Sequence, residues 1–378
     1  MRSLWLLFVA LLSLGGIGLR AADETHPALK LGSAAPPFDL PGVDGKRHRL
    51  EDFREATVLV VVFTCNHCPT AQLYEDRLKE LVRDYTGKPV AVVAISPNSP
   101  KAVRPDELGY TDLGDDLEDM KVRAAYRKFN FPYLYDGETQ TASKLYGPQA
   151  TPQVFIFDRD RRLRYAGRID DSERPEFVKV RDARAAIDAL LAGQTPAVGE
   201  TKVFGCSTKW DHKSDGNAKW LAKVHAEPVK LEMAGADALR ELRGKTASGR
   251  VRLVNFWATW CGPCVAEFPD LVNLNLMYRG RDFEFVTVAA QFPDERDRVQ
   301  RFLERQHASG RNLLFGETDK YRMIEACDPE WNGALPHTLL IAPDGKILFR
   351  HTGELDLLDL KRRIVAALDQ VQPWGGGK

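Results

Sequence analysis

Val251-Arg-Leu-Val-Asn-Phe-Trp-Ala-Thr-Trp-Cys-Gly-Pro-Cys264 reads as a buried strand running into a tight turn, with a Cys-x-x-Cys pair where a helix begins. An earlier stretch, Val58-Leu-Val-Val-Val-Phe-Thr-Cys-Asn-His-Cys68, follows the same plan. One offset of 196 residues relates Cys65 to Cys261 and Cys68 to Cys264. Two such pairs in matching contexts point to a repeated redox module.

The bulk properties fit that reading. At roughly 150 residues per domain, 378 residues give two domains plus extras. Hydrophobic residues at 44% and charged residues at 28% let each half bury a core. Lys+Arg equals Asp+Glu at 53 each, with no basic block, which argues against nucleic acid as a partner. Met1-Arg-Ser, an apolar run from Leu4 to Ile17, and Ala21-Ala22 before Asp23-Glu24 predict a secretory signal over 1–22. The destination is periplasmic or otherwise extracytoplasmic, and membrane contact is expected only if this segment stays uncleaved as an anchor. Six cysteines are too few for a disulfide scaffold. Four of them pair as Cys-x-x-Cys working dithiols, leaving Cys206 and Cys327 single.

Val58–Phe63 and Val90–Ile95 are β-rich runs suited to strands buried on both faces. Helical spacing follows Cys68 through Asp84 and recurs from Leu117 to Phe129. Ser96–Pro105 reads as a loop, Tyr133–Tyr135 as a strand, Glu138–Tyr146 as a helix and Val154–Tyr165 as a hairpin. A helix over about 176–191 closes the unit. The resulting order β-α-β-α-β-α-β-β-α calls for an α/β fold, a mixed central sheet flanked by helices. The expected domains are 29–192 and 231–372, joined by a connector, 193–230, and followed by a frayed tail, 373–378. The connector holds Cys206, Trp210 and Trp220, more apolar bulk than a free linker carries, and is expected to pack against a domain. In the second unit the hairpin 338–349 matches the first: Pro152 and Pro336 open the two hairpins 184 residues apart, and Asp160 and Asp344 keep that offset.

A thiolate is the nucleophile in disulfide exchange, and a helix N-terminus stabilises its charge. On this basis Cys65 and Cys261 are assigned as nucleophiles, with Cys68 and Cys264 as resolving partners. Structural disulfides or zinc are the alternatives. Zinc ribbons space their pairs about 15–20 residues apart, whereas here nearly a whole domain intervenes, so no metal and no bound cofactor are expected. His67 puts an imidazole between the first two cysteines. Protonated, it would lower the thiol pKa and make the first dithiol the more oxidising.

Phe256-Trp-Ala-Thr-Trp-Cys-Gly-Pro-Cys264, with Glu267 and Pro269 following, resembles the TlpA/ResA-type thioredoxin-fold proteins of bacterial envelopes. Residues 29–192 resemble peroxiredoxin-like redoxins through Gly32, Ala35-Pro36, Phe38, Cys65-Asn-His-Cys-Pro69, Phe131-Pro-Tyr-Leu-Tyr-Asp136 and Thr151-Pro152. The resemblance implies a thioredoxin fold in each half, with Pro152 and Pro336 as cis-prolines facing the cysteines. It further implies that Thr151 and Leu335 shape contact with a substrate peptide. Thioredoxins proper carry a buried acid six positions before the first cysteine; here Leu59 and Asn255 stand there, and Glu267 is the candidate general base instead. Trp260 is expected to shield the sulfurs. The implied activity is an exported thiol–disulfide oxidoreductase, a reductase acting on protein disulfides or thiols with an external electron-donating dithiol. A relay from the second domain to the first is a further expectation. The rivals are a thiol peroxidase with an antioxidant role and a non-enzymatic envelope adaptor. Peroxiredoxins proper use PxxxTxxC, but the threonine position is Val62 counted from Cys65 and Cys65 counted from Cys68. Cys206 reads as a distant resolving thiol or an inert buried one, and Cys327 as core.

Overall fold

The computed structural model describes residues 26–244 and 249–374. The expected signal over 1–22 and the last four residues of the tail fall outside the described residues. β1 (Asp39–Pro41) and β2 (Arg47–Arg49) form a short hairpin. The first unit then runs β3 (Val58–Phe63), α1 (Pro69–Asp84), β4 (Val90–Ser96), α2 (Leu117–Arg127) and β5 (Tyr133–Tyr135). It continues with α3 (Thr141–Tyr146), β6 (Ala150–Thr151), β7 (Gln153–Phe157), β8 (Leu163–Gly167) and α4 (Asp182–Leu191). Its sheet is ordered β5-β4-β3-β7-β8, with β3, β4 and β5 parallel and the last two strands antiparallel.

Strand periodicity explains the two cores. Val58, Val60 and Val62 point to one face, against Tyr74, Leu78 and Leu81 of α1 and Ile187 of α4. Leu59, Val61 and Phe63 point to the other, against Tyr146 of α3. All six residues of β3 are fully buried. At about 1.5–3 kcal/mol per large apolar side chain this strand anchors the unit. The closing helix begins at Asp182, later than the periodicity suggested. The Asp171 carboxylate accepts from the N–H groups of Lys179 and Val180, at 2.9 and 3.0 Å, and holds that stretch out of the helix.

β9 (Cys206–Ser207) and α5 (Ser214–His225) come next, then β10 (Leu231–Ala234), α6 (Ala236–Arg243), β11 (Val251–Trp257) and α7 (Gly262–Tyr278). β12 (Phe283–Ala289), α8 (Arg296–Arg305), β13 (Arg311–Phe315), α9 (Tyr321–Cys327), β14 (His337–Ile341), β15 (Ile347–Thr352) and α10 (Leu357–Val371) complete the chain. The second sheet is ordered β10-β13-β12-β11-β14-β15. It repeats the first plan and adds β10 as an edge, which with α6 escaped the sequence reading. The two sheets, each with helices on both faces, give the mixed α/β architecture. No helix of the described residues is long and apolar enough to cross a membrane.

The segment between the sheets is packed, as its tryptophans suggested. Trp210 is buried against His26, and Asn217 Nδ2 donates to Lys101 O at 3.0 Å. The two units meet where residues 109–112 rest on the C-terminal ends of α7 and α10. Tyr278 Oη donates to Thr111 O at 3.0 Å, and Arg362 pairs with Asp112 at 3.0 Å. The buried Arg281 guanidinium donates to Gly109 O, Asp369 and Gln372 O and lies 4.1 Å over the Tyr110 ring. Trp374 packs edge-on against Tyr110 at 5.0 Å, so the tail is docked at least to this residue. Arg281→Ala removes one hydrogen bond and a cation–π contact across the interface, besides two hydrogen bonds within the second unit, and is expected to cost about 2 kcal/mol of interdomain stability. Calorimetry should then resolve two unfolding transitions where the parent shows closer coupling.

Candidate active site

In the first unit β3 ends at Phe63 and delivers Thr64–Cys68 to the start of α1. Pro69 is the first helical residue and Cys68 its N-cap, a placement favoured because proline's missing N–H costs nothing at that position. Cys68 Sγ accepts from Ala71 N–H at 3.5 Å and from Cys206 N–H at 3.4 Å, and lies 3.3 Å from Thr151 O. Cys65 Sγ lies 3.2 Å from Thr151 Oγ1. Both sulfurs are buried, and the Thr151–Pro152 bond beside them is cis.

In the second unit Cys261 is the N-cap of α7, and its sulfur accepts from Cys264 N–H at 3.3 Å. Cys261 and Cys264 form a disulfide. Leu335–Pro336 is cis, and the half-buried Leu335 packs against the cluster that holds both sulfurs.

The strand register corrects the equivalence drawn from the motifs. Phe63 pairs with Gln153, the residue after Pro152, and Phe256 pairs with His337, the residue after Pro336. The matching offset between the two units is therefore 193 residues, and it superposes Cys68, not Cys65, on Cys261. The hydrogen bonds agree: Ala71 N–H serves Cys68 as Cys264 N–H serves Cys261. Cys65 falls at the position of Ala258, in the turn before the helix. Its assignment as nucleophile, with Cys68 resolving, placed the first cysteine of the motif at the helix N-terminus, whereas the unpaired amides there point at Cys68.

His67 is a buried residue paired to Asp115, its Nδ1 2.5 Å from Oδ2. Asp115 Oδ1 accepts from the N–H groups of Asn66 and His67, at 2.8 and 3.0 Å, and Oδ2 also accepts from Asn98 Nδ2 at 2.8 Å. Burial disfavours the imidazolium, but the Asp115 charge and hydrogen bond outweigh it, and the His67 pKa is raised. Burial likewise opposes ionisation of Cys68. Hydrogen bonds from Cys206, Cys65 and Ala71, with the His67 charge, nevertheless hold it well below the ordinary thiol range. Cys65 moves the other way, pushed well up by burial, by its contact with Cys68 and by the Asp115 charge. The two sulfurs of one motif are thus driven apart.

Cys65, His67 and Asp115 offer ligand atoms within 4.8 Å of one another, the one such group among the described residues. As a metal site it would have to give up the ion pair and the donors that already fill the Asp115 carboxylate. The arrangement suits a thiolate better than a metal ion.

Glu267 of α7, three residues after Cys264, is buried. Its Oε1 accepts from Asn255 Nδ2 at 3.3 Å, while its Oε2 and Asn255 Oδ1 have no hydrogen-bond partner. Burial pushes its pKa up to about 7, where it can take and return a proton near neutrality. Asn255 stands at the strand position that Val62 fills in the first unit, so this polar pair has no counterpart there. Trp260, expected to cover the sulfurs, is 61% exposed on the rim; Trp257 and Phe268 are the aromatic residues of the cluster that buries them. Cys327 lies in the core, and burial pushes its pKa up to about 12. Asp115, Asn98 and the placement of Cys206 were not anticipated. Asp115 lies 48 residues from His67, Asn98 17 from Asp115 and 111 from Lys209, and Cys206 138 from Cys68, and no local pattern marks them.

The AhpC/TSA family matches residues 31–166, and the redoxin family matches residues 231–363. The thiol:disulfide interchange protein HelX of Rhodobacter capsulatus is 31% identical over 139 residues, 36% of this chain and 70% of that protein. The interchange protein CycY of Rhizobium leguminosarum bv. viciae is 27% identical over 42% of this chain and 83% of its own length. The thiol-disulfide oxidoreductase ResA of Halalkalibacterium halodurans is 35% identical over 30% of this chain and 58% of that protein. Among solved structures, an uncharacterized conserved protein from Geobacillus kaustophilus is 40% identical, with TM-score 0.43, over 48% of this chain and 93% of its own.

In the reduced protein, alkylation of Cys68 is expected to reach its plateau rate below the ordinary thiol pKa of about 8.5, and that of Cys65 above it. Asp115→Asn should leave His67 neutral by burial. The Cys68 midpoint then rises while that of Cys65 falls, as mass-resolved alkylation would record. In the second unit, Glu267→Gln should remove the inflection near pH 7 from the rate of disulfide exchange and slow the plateau by about 100-fold.

Proposed function

Since the chain belongs to the thioredoxin-fold thiol–disulfide oxidoreductases, with an AhpC/TSA domain and a redoxin domain in tandem, we propose that it is an exported reductase of protein disulfides with two independent centres. The observation that carries this reading is the pair of helix-capping sulfurs, Cys68 and Cys261, each set beside the backbone edge at a cis-proline. Cys68 and Cys261 attack the substrate disulfide. Cys264 resolves the mixed disulfide in the second domain, and Cys65 is the second thiol of the first motif. Thr151 with Pro152, and Leu335 with Pro336, form the edges on which a substrate strand pairs. His67 tunes Cys68, and Glu267 handles the proton in the second domain. The apolar leader and the alanines at 21 and 22 support a periplasmic or other extracytoplasmic site of action. Domain limits of 29–192 and 231–372 fit the two sheets, and electrons come from an external dithiol.

The docking face favours independent centres. The interface uses the C-terminal end of α7, whereas Cys261 caps its N-terminal end; 17 residues at 1.5 Å each separate them by about 25 Å. A direct relay between the two dithiols would have to bridge that length, so exchange with separate partners is the simpler course.

The test is reduction of an insulin-like disulfide substrate by the full mature chain supplied with a dithiol. Cys68→Ser and Cys261→Ser are each expected to remove one component of turnover, and the double variant to fall to the uncatalysed background. Saturable peroxide consumption that depends on Cys68, with no disulfide reduction, would instead make the first domain a peroxidase. Full function without all four motif cysteines would leave an adaptor.

A further inference from the structure

Cys206 lies within the connector, yet its backbone is built into the first active site. β9 pairs antiparallel with β6, setting Cys206 opposite Thr151 and Ser207 opposite Ala150. That is the edge beside the cis-proline where a substrate strand pairs in the reading above, on which this inference rests. Cys206 N–H reaches Cys68 Sγ at 3.4 Å, and its thiol hydrogen-bonds the same sulfur. Cys65, Cys68 and Cys206 form one cluster.

The approach is built for this purpose by its neighbours. Gly205 has φ +131°, and a Cβ there would sit 2.1 Å from Thr151 O, so only glycine lets the chain come so close. Beyond the strand, Thr208 Oγ1 donates to Pro148 O at 2.7 Å, and Lys209 N–H donates to Asn98 Oδ1 at 2.9 Å. Lys209 O accepts from Ser99 N–H and Gln140 Nε2, both at 2.9 Å, and Lys209 Nζ pairs with Glu107 at 2.6 Å. The β9 strand itself makes only two residue pairs with the edge, between the Gly205 joint and these anchors.

We propose that residues 205–208 are a tethered substrate strand, and that Cys206 is the thiol that resolves mixed disulfides on Cys68. The Cys68 thiolate attacks an external disulfide R–S–S–R with β9 lifted from the edge. The Cys68–S–S–R bond forms and one RS⁻ leaves. β9 then returns, and the Cys206 sulfur, giving its proton to the departing thiolate, attacks Cys68 Sγ. The Cys68–Cys206 disulfide forms and the second half of the substrate leaves as RSH. Two electrons pass from the Cys68/Cys206 pair to the substrate, which leaves as one thiolate and one thiol.

The choice of Cys206 over Cys65 has a physical reason. The largest influence holding the Cys206 thiol protonated is its hydrogen bond to Cys68, and this disappears once Cys68 is bonded to substrate. For Cys65 the largest influence is burial, followed by Cys68 and the Asp115 charge, and burial and Asp115 persist. Cys206 is also the less buried of the two.

The experiment is disulfide mapping of the full chain. The reduced protein is treated with one equivalent of oxidised glutathione, quenched with acid, alkylated and digested without reduction. The expected product is the Cys68–Cys206 peptide pair, in the parent and in Cys65→Ser alike. Gly205→Val, which expels the strand, should lower the yield of that pair at least tenfold and expose Cys206 to alkylation while leaving the unfolding midpoint of the second domain unchanged. A Cys65–Cys68 pair alone in the parent, or no change in the pair on Gly205→Val, overturns the proposal. The readout is a covalent mass, so it is independent of turnover: loss of the pair with Cys68-dependent reduction intact defeats this inference and leaves the reductase reading standing.

Discussion

A buried imidazole–carboxylate pair joins His67, in the turn before α1, to Asp115, and much of the first domain is arranged around its burial. Two opposite charges taken out of water are costly unless every remaining lone pair is filled. Asp115 meets that condition with two backbone N–H groups from the motif itself, the His67 ring and Asn98. Asn66 then ties back to Gly114 O at 2.7 Å, and Gln72 Nε2 bridges Asn66 O and Tyr110 O. The same short segment, 109–115, therefore orients the dithiol at one end and receives α7 of the second domain at the other. Asn98 extends the network to the connector through Lys209. One carboxylate thus links the motif, the loop that docks the domains and the strand that covers the site.

The two domains solve a shared problem with different chemistry. Each places a sulfur at a helix N-cap, where unpaired amides favour the anion. The first sets beside it a histidine whose pKa the Asp115 pair raises, and raises the neighbouring thiol, so the two sulfurs of one motif are driven apart. The second adds no charge between its cysteines and instead buries Glu267 against Asn255, a group able to exchange a proton near neutrality. At the equivalent of Asn255 the first domain has Val62, packed in the core. Proton handling is therefore a property of the second site and charge stabilisation of the first.

The fold was legible because its signals are local or repeated. β3 is an unbroken apolar run and β11 a mostly apolar one, the hairpins recur with their prolines, and the element order of the first unit follows from periodicity. What misled was the Cys-x-x-Cys spacing, the most conspicuous repeat of all. Between Phe63 and Cys65 only one residue intervenes, against four between Phe256 and Cys261, so the motifs cannot occupy the same place once the strands are aligned. Pro69 carried the correcting signal, since a proline directly after Cys68 marks the first helical residue and makes Cys68 the cap. β10 and α6 were missed because β10 is a four-residue edge with two exposed residues, too brief for a period to register. The contacts of His67 and Cys206 reach 48 and 138 residues along the chain and have no local signature.

The strand edges beside the two cis-prolines separate the domains further. An unpaired edge presents N–H and C=O groups to any extended chain that reaches it. At Thr151 those groups already have a partner in β9. At Leu335, among the described residues, no strand is paired. In the proposed reductase an external substrate strand enters the second site without displacing a described strand, but at the first site competes with a strand covalently tethered nearby. A short tether gives that competitor a high effective concentration, so the first site selects for partners that can outlast it on the edge. The pair of centres in one chain is therefore unequal in access as well as in charge, and both inequalities trace to the few residues that surround Cys68.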